Sequence, residues 1–272
     1  HTVFNLLGVL LFFPFTGRLV TVLKRHFRGT EEDEAKPRFL DRTVVGTPAF
    51  AMQALARELA RIGAIALRMG KSALSSEGSP SPSLLKDKAV LDKLVDAAGV
   101  FSNQLQRSHL PPDLDDMLPN ALRVSGYYTI LAELALEIAR SRDSLLVPEG
   151  ELGPLLARYR HSTVQFLEMT EGENGSYAIE SGRREVARLK EEYHELKARL
   201  LRAGTKGSLS PRQMVGLLEL IRNIMHMAEQ AEKGARYLAF LQNLPQMPRA
   251  EAGEDLRLSA AEATAQKKEP VD

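Results

Sequence analysis

Apolar residues recur every three or four positions over most of the chain after residue 47, as in amphipathic α-helices. The first such stretch is PAFAMQALARELARIGAIALRMG, with Thr47 as its N-cap and Pro48 at the first helical position. Its apolar face consists of Met52, Leu55, Leu59, Ile62, Ala66 and Met69. Gly70 and the following polar stretch SSEGSPSPS predict the end of this helix.

Five later segments have the same period and predict five more helices. They begin near Leu84, near Asp115, at about Gly150, near Tyr177 and at Pro211. Ser210 is the predicted N-cap of the last helix, and Glu195 and Arg199 are spaced for an i,i+4 ion pair on the fifth. The few alternating stretches are short and poor in β-branched residues, so no strand is predicted. Six helices joined by short polar breaks predict an all-α fold of two consecutive three-helix units.

The first 27 residues, HTVFNLLGVLLFFPFTGRLVTVLKRHF, are apolar from Val3 to Phe15, with Asn5 as the one strongly polar side chain. A signal peptide carries its positive charges before the apolar run, whereas here the basic residues follow it. A buried core helix remains an alternative, because the run is shorter than the ~20 residues of a membrane span. The absence of an initiator methionine and the basic residues after the run favour the end of a truncated transmembrane helix. We therefore expect residues 1–27 to be that end.

Composition and charge exclude several functional classes. The chain has 272 residues, 44% of them hydrophobic and 26% charged, which is ordinary for a globular protein. A net charge of +1 argues against a dedicated nucleic-acid surface. Cysteine is absent, which excludes disulfides, thiolate metal sites and cysteine nucleophiles. No H-E-x-x-H, G-x-S-x-G or phosphate-cradling glycine loop occurs, so we predict neither an enzyme nor a bound cofactor.

Two segments flank the helical region, which is predicted to span residues 48–243. Residues 28–47, with the acidic run EEDE and Pro37, are predicted to be a linker. Residues 244–272 contain few large apolar side chains and are predicted to be a disordered tail.

Two stretches of the chain resemble a known junction between a membrane domain and a soluble domain. The first stretch is HTVFN followed by FPF, and the second is PRFLDRTVVGTPAFAMQALARELARIG. Together they resemble bacterial sodium-dependent phosphate cotransporters of the type II related family, whose last membrane helix leads through a linker into a PhoU-like domain. The matching residues are His1, Thr2, Phe4, Asn5, Pro14, Phe15, Pro37, Arg38, Leu40, Asp41, Thr47 and Pro48.

This resemblance implies a PhoU-like pair of three-helix bundles, preceded by the end of a transmembrane helix. It further implies a sodium-coupled phosphate transporter in the cell inner membrane, with the residues after about 28 in the cytoplasm as a regulatory module. Sodium and inorganic phosphate would then bind to a membrane domain upstream of His1. A homo-oligomer or a signalling partner is compatible with the aliphatic helical faces.

The resemblance also implies where metal ligands would lie. Relatives carry E/D-x-x-x-D motifs on the third and sixth helices. Here Thr129 and Glu133 occupy the first motif, and Met225 and Glu229 occupy the second, so each motif keeps only its trailing acid. Because a hard cation requires several converging oxygen atoms, Glu133 and Glu229 are weak metal candidates and we expect no metal site. His226 lies three residues before Glu229, but a solvated or salt-bridged pair is the expected arrangement there.

Three functions remain open at this point: a transporter's regulatory module, a stand-alone PhoU-like adaptor for signalling or transport partners, and an enzyme. The absence of a catalytic constellation disfavours the enzyme. Asn5 is the one residue here that could face a transport pathway, although a hydrogen bond to a neighbouring helix explains it equally well.

Overall fold

The computed structural model describes residues 34–75, 82–108, 110–144, 150–171 and 177–242. These residues form six long helices, α1 Pro48–Ser75, α2 Pro82–Gln106, α3 Leu118–Ser144, α4 Leu152–Thr170, α5 Ile179–Thr205 and α6 Pro211–Gln242. A 3₁₀ helix, Arg42–Gly46, precedes α1, and a one-turn helix, Pro112–Asp115, precedes α3. The described part of the chain contains no β-strand, so the all-α prediction is confirmed.

The helices pack as two groups that share one core. Helices α1, α2 and α3 contact one another, and so do α4, α5 and α6. The most extensive contact of all joins α3 to α6, and α1 also packs on both α4 and α6. One continuous cluster of buried apolar side chains includes residues from all six helices. Burial of this shared apolar surface is the main source of stability, because each buried methylene contributes about 0.8 kcal/mol.

Tyr128 lies at the centre of the contact between the two groups. Its ring is fully buried between Gly63 of α1 and Gly234 of α6. A Cβ atom added at Gly63 would lie 2.7 Å from the Tyr128 ring, and one added at Gly234 would lie 2.8 Å from it. Both positions therefore require glycine for steric reasons, since any side chain would displace the tyrosine. Burial raises the pKa of the Tyr128 hydroxyl.

Gly70 does not end α1, contrary to one part of the sequence prediction, whereas the predicted stop at SSEGSPSPS agrees with the end of the helix at Ser75. The helix continues to Ser75, and Gly70 is buried inside it. A Cβ atom at this position would lie 3.1 Å from both Leu167 of α4 and Met227 of α6. The glycine thus allows two neighbouring helices to approach α1, and it has a packing role where a terminating role was predicted.

Several helix ends and surface pairs follow the predicted pattern. Ser210 caps α6, because its hydroxyl accepts a hydrogen bond from the Gln213 amide at 3.3 Å while the Gln213 side chain accepts one from the Ser210 amide at 3.1 Å. The predicted pair between Glu195 and Arg199 forms at 2.9 Å. The C-terminal end of α1 is capped from another helix, since Arg160 of α4 donates a hydrogen bond to the Leu74 carbonyl at 3.0 Å.

Candidate functional site: the strap on α1

The described residues that precede α1 form a strap that lies against this helix. We define the strap as residues 34–46. It falls within the predicted linker 28–47. Its Ala35, Leu40 and Val45 side chains pack against the apolar core. The strap is therefore part of the folded body of the protein.

Two residues of α1 hold the strap through its backbone. Glu58 is 0% exposed, and its Oε2 atom accepts hydrogen bonds from the Arg38 and Phe39 amides at 2.8 and 2.9 Å. Arg61 lies one turn further along and donates hydrogen bonds to the carbonyls of Lys36, at 2.9 Å, and Glu34. The Arg61 guanidinium also binds Glu58 Oε1 at 2.6 Å. Each carboxylate oxygen is thus satisfied, which is the condition under which a buried charge is tolerated.

The strap has one further attachment, at its start, and one internal turn. Arg68 of α1 contacts Glu34 at 3.1 Å and Asp87 of α2 at 2.7 Å, so three segments meet at one guanidinium. Further along the strap, the Asp41 carboxylate accepts a hydrogen bond from the Thr43 amide at 2.9 Å, and this bond lowers the Asp41 pKa. Such a turn starts the 3₁₀ helix that leads to α1. These contacts fix the direction in which the chain enters the body.

A cavity of about 420 Å³ lies beside the strap. Phe39 of the strap forms one wall, and α1 contributes Arg57, Gly63 and Leu67. The remaining walls come from Tyr128 of α3 and from the C-terminal ends of α4 and α6, where Thr170, Glu171, Leu238 and Gln242 are found. The strap therefore contributes one wall of this cavity, through Phe39.

The two predicted metal candidates do not form a metal site in the described part of the chain. Glu133 is exposed on α3, and the Thr129 hydroxyl in the same motif donates a hydrogen bond to the Ser125 carbonyl at 2.9 Å. Glu229 is half-buried on α6, beside the buried Met225. No three His, Asp or Glu side chains among the described residues come together in a way that could hold a metal ion.

Glu229 instead lies near Tyr159 of α4, as does Glu192 of α5, which is paired with Arg188. The buried Tyr159 hydroxyl has no hydrogen-bond partner among the described residues. Burial raises its pKa, and the nearby Tyr193, Glu192 and Glu229 raise it further. His226 has a lowered pKa because of desolvation, which outweighs the attraction of Glu229.

A second buried carboxylate lies where α3 meets α6. Glu232 is 7% exposed and pairs with Arg236 at 3.0 Å. Burial raises the Glu232 pKa, although Arg236 and Arg183 oppose the shift. The Arg236 guanidinium lies 5.1 Å from the centre of the Tyr237 ring, and Arg123 of α3 lies 5.9 Å from it. The cation–π contact of Arg123 joins α3 to α6, whereas that of Arg236 lies within α6.

Sequence reasoning missed Glu58 and Arg61, although a signal for them was present. Glu58 falls between Leu55, Leu59 and Ile62, on the apolar face of a helix. A charged residue on such a face requires a partner, and Arg61 at i+3 is in position to be one. The sequence did not predict the other partners of Glu58, the Arg38 and Phe39 amides, because every residue type except proline has a backbone amide. Asn5, the transport-pathway candidate, lies outside the described residues, as does the whole segment 1–27.

Comparisons with known proteins leave the family undecided. The chain matches no protein-family model, and searches among curated proteins and among solved structures found no similar protein. None of the helices in the described part of the chain combines the length and the apolar character that a membrane crossing requires.

Proposed function

We propose that the helical body, residues 48–243, is the cytoplasmic regulatory module of a sodium-coupled phosphate transporter, with a PhoU-like pair of three-helix bundles. In this proposal residues 1–27 are the end of the last transmembrane helix. Sodium and inorganic phosphate bind to the membrane domain upstream of them, in the inner membrane. The helical body binds neither ion as a substrate.

One observation carries the proposal, and it is the attachment of the strap to α1. A regulatory module must exchange force with the domain that it controls, because a slack linker would transmit no displacement. Here the buried Glu58 and Arg61 bind the backbone of residues 34–39 directly. A movement of the segment before residue 34 would therefore act on α1, which packs on α2, α3, α4 and α6. The position of the junction residues supports the same proposal, since Arg38, Leu40 and Asp41 all belong to the strap.

The packing also supports a PhoU-like pairing. The helices group as α1 to α3 and α4 to α6 with the third and sixth helices in contact, and that grouping is the one expected of two consecutive three-helix bundles.

The test uses the natural gene with its own upstream coding sequence. We expect the tagged protein to remain in the membrane pellet after an alkaline wash and to take up labelled phosphate faster in sodium than in potassium buffer. Substitution Glu58→Ala should change the sodium-dependent rate at equal protein level, because it releases the strap. Glu219→Ala, which removes an exposed acid of α6, is the matched control and should leave the rate unchanged.

Two outcomes would count against the proposal in different ways. Recovery of the protein in the soluble fraction, with no sodium-dependent uptake, would exclude the transporter and leave the stand-alone adaptor. Sodium-dependent uptake that is equal in wild type and Glu58→Ala would keep the transporter but exclude the strap as its coupling element.

A further inference from the structure

The cavity beside the strap has the size of a small-molecule site. Its volume of about 420 Å³ lies within the ~300–1,000 Å³ that such sites occupy. Small and apolar side chains of α1 line one side, namely Ala60, Gly63, Ala64 and Leu67, and the Phe39 side chain, 37% exposed, forms another wall. A space bordered by aliphatic groups and an aromatic wall suits an apolar aromatic group.

The charges around the cavity indicate which charged group a ligand would carry besides its apolar group. Arg57 lines the cavity, is exposed, and makes no ion pair with another residue in the described ranges. The Glu171 carboxylate, which also lines the cavity, is already bound by Lys71. The Thr170 hydroxyl is bound as well, since it donates a hydrogen bond to the Leu167 carbonyl at 2.8 Å. The uncompensated charge at the cavity is therefore positive.

We infer that this cavity binds a small aromatic anion, with its ring against Phe39 and α1 and its acidic group on Arg57. Phe39 also provides one of the two amides that Glu58 binds. A ligand that contacts Phe39 therefore binds the body best when the strap is docked. By thermodynamic linkage, the ligand stabilises the docked strap to the same extent as the strap favours the ligand. The regulatory meaning of this coupling rests on the proposed function, because only a tethered membrane domain would respond to it.

The test uses the full 272-residue chain and the fluorescent dye 8-anilinonaphthalene-1-sulfonate, an aromatic anion, as the probe. Hydrogen exchange is measured at the Arg38 and Phe39 amides, so dye that binds elsewhere does not contribute. If the dye binds only when the strap is docked, exchange at these amides should slow about elevenfold at a dye concentration ten times its Kd.

Two variants test whether the dye binds in the cavity. Ala64→Trp fills the space from an exposed position of α1 and should abolish the protection. Arg57→Gln removes the cation and should weaken binding about tenfold, in line with the loss of one charge-assisted contact. Arg222→Gln, which removes an exposed arginine of α6, and Leu122→Ser, which alters a separate apolar groove between α2 and α3, are the controls and should leave the protection intact.

The inference would be overturned if the dye gave no protection at Arg38 and Phe39, or if Ala64→Trp and Arg57→Gln retained it while circular dichroism showed that both variants are folded. Because binding is measured on this chain without transport, failure of the transporter proposal would leave the binding result unaffected.

Discussion

Glu58 and Glu232 are both buried carboxylates, each paired with an arginine about one turn further along its helix, yet their surroundings differ. Glu58 accepts two strap amides on one oxygen atom and Arg61 on the other. Glu232 has Arg236 on one oxygen atom, and burial raises its pKa. The first carboxylate organises a neighbouring segment of backbone, whereas the second is a charge that the fold holds at a cost.

The comparison shows that burial alone does not decide what a charged residue does for a protein. What matters is whether the carboxylate replaces the hydrogen bonds that water would have provided. At the strap, the groups that replace water are the amides of another segment, so removal of the carboxylate should release that segment. At the contact between α3 and α6, removal of the Glu232 carboxylate should release no other segment, because its partner Arg236 lies on the same helix.

The largest effect is expected from Glu58→Ala, which leaves two strap amides without their acceptor and the Arg61 guanidinium without its carboxylate partner. We expect a loss of about 3 kcal/mol in the free energy of unfolding, as for other broken buried pairs. Chemical denaturation with circular dichroism detection would measure it. Glu58→Gln keeps one acceptor oxygen and should lose less. If Glu58→Ala were as stable as wild type, the strap would not depend on this carboxylate.

The next largest effect tests the centre of the molecule, away from both carboxylates. Gly63→Ala places a methyl group 2.7 Å from the Tyr128 ring, and we expect a loss of about 1–3 kcal/mol from overpacking. In a Tyr128→Leu background the same substitution should cost much less, because the ring that it meets is gone. A double-mutant cycle measured by denaturation gives the coupling. Equal losses in both backgrounds would show that the ring is not what excludes the methyl group.

A smaller effect is expected from Ser210→Ala, which removes the N-cap of α6 and serves as a reference outside both carboxylate regions. The loss should be about 1 kcal/mol. Combined with Glu58→Ala, it should be additive within about 0.5 kcal/mol, because the two residues share no partner. Marked non-additivity would mean that the strap and the start of α6 are coupled, and the strap would no longer be a local attachment.

The smallest effect is expected from Glu232→Gln, and it should appear as a change in how the free energy of unfolding depends on pH. The folded pKa of Glu232 is raised above its ordinary value of 4.5, so the fold binds this proton more tightly than the unfolded chain does. The wild type should therefore lose stability relative to Glu232→Gln as pH rises from 4.5 through the folded pKa. Denaturation curves of both proteins across that range would measure the difference, and parallel pH profiles would contradict it.

Much of the fold could be predicted from the sequence, because each helix has a regular apolar face and clear ends. Pro48 at the start of α1 and Ser210 before α6 are local signals, and the structure confirms both helix starts. The prediction for Gly70 was wrong because a single sequence does not distinguish a glycine that ends a helix from a glycine that allows a neighbouring helix to pack closely. The difference lies in Leu167 and Met227, which are distant along the chain.

The candidate site was harder to predict than the fold. The strap was expected to be a linker because its acidic run and Pro37 are typical of one. Its attachment depends on main-chain amides and carbonyls that bind Glu58 and Arg61, and every residue type supplies such groups. A pattern of side chains therefore predicts the helix that carries Glu58 and Arg61, but it does not predict that the strap is the segment that they bind.

The hydrogen bond from Arg160 to the Leu74 carbonyl has a consequence for dissecting this protein into pieces. A fragment that stopped after α3 would keep α1 but lose the group that satisfies its final turn, together with the α4 and α6 surfaces that cover its flank. Such a half-molecule should expose aliphatic surface and self-associate, whereas the two halves supplied as separate polypeptides should recombine through the α3–α6 contact and through α1.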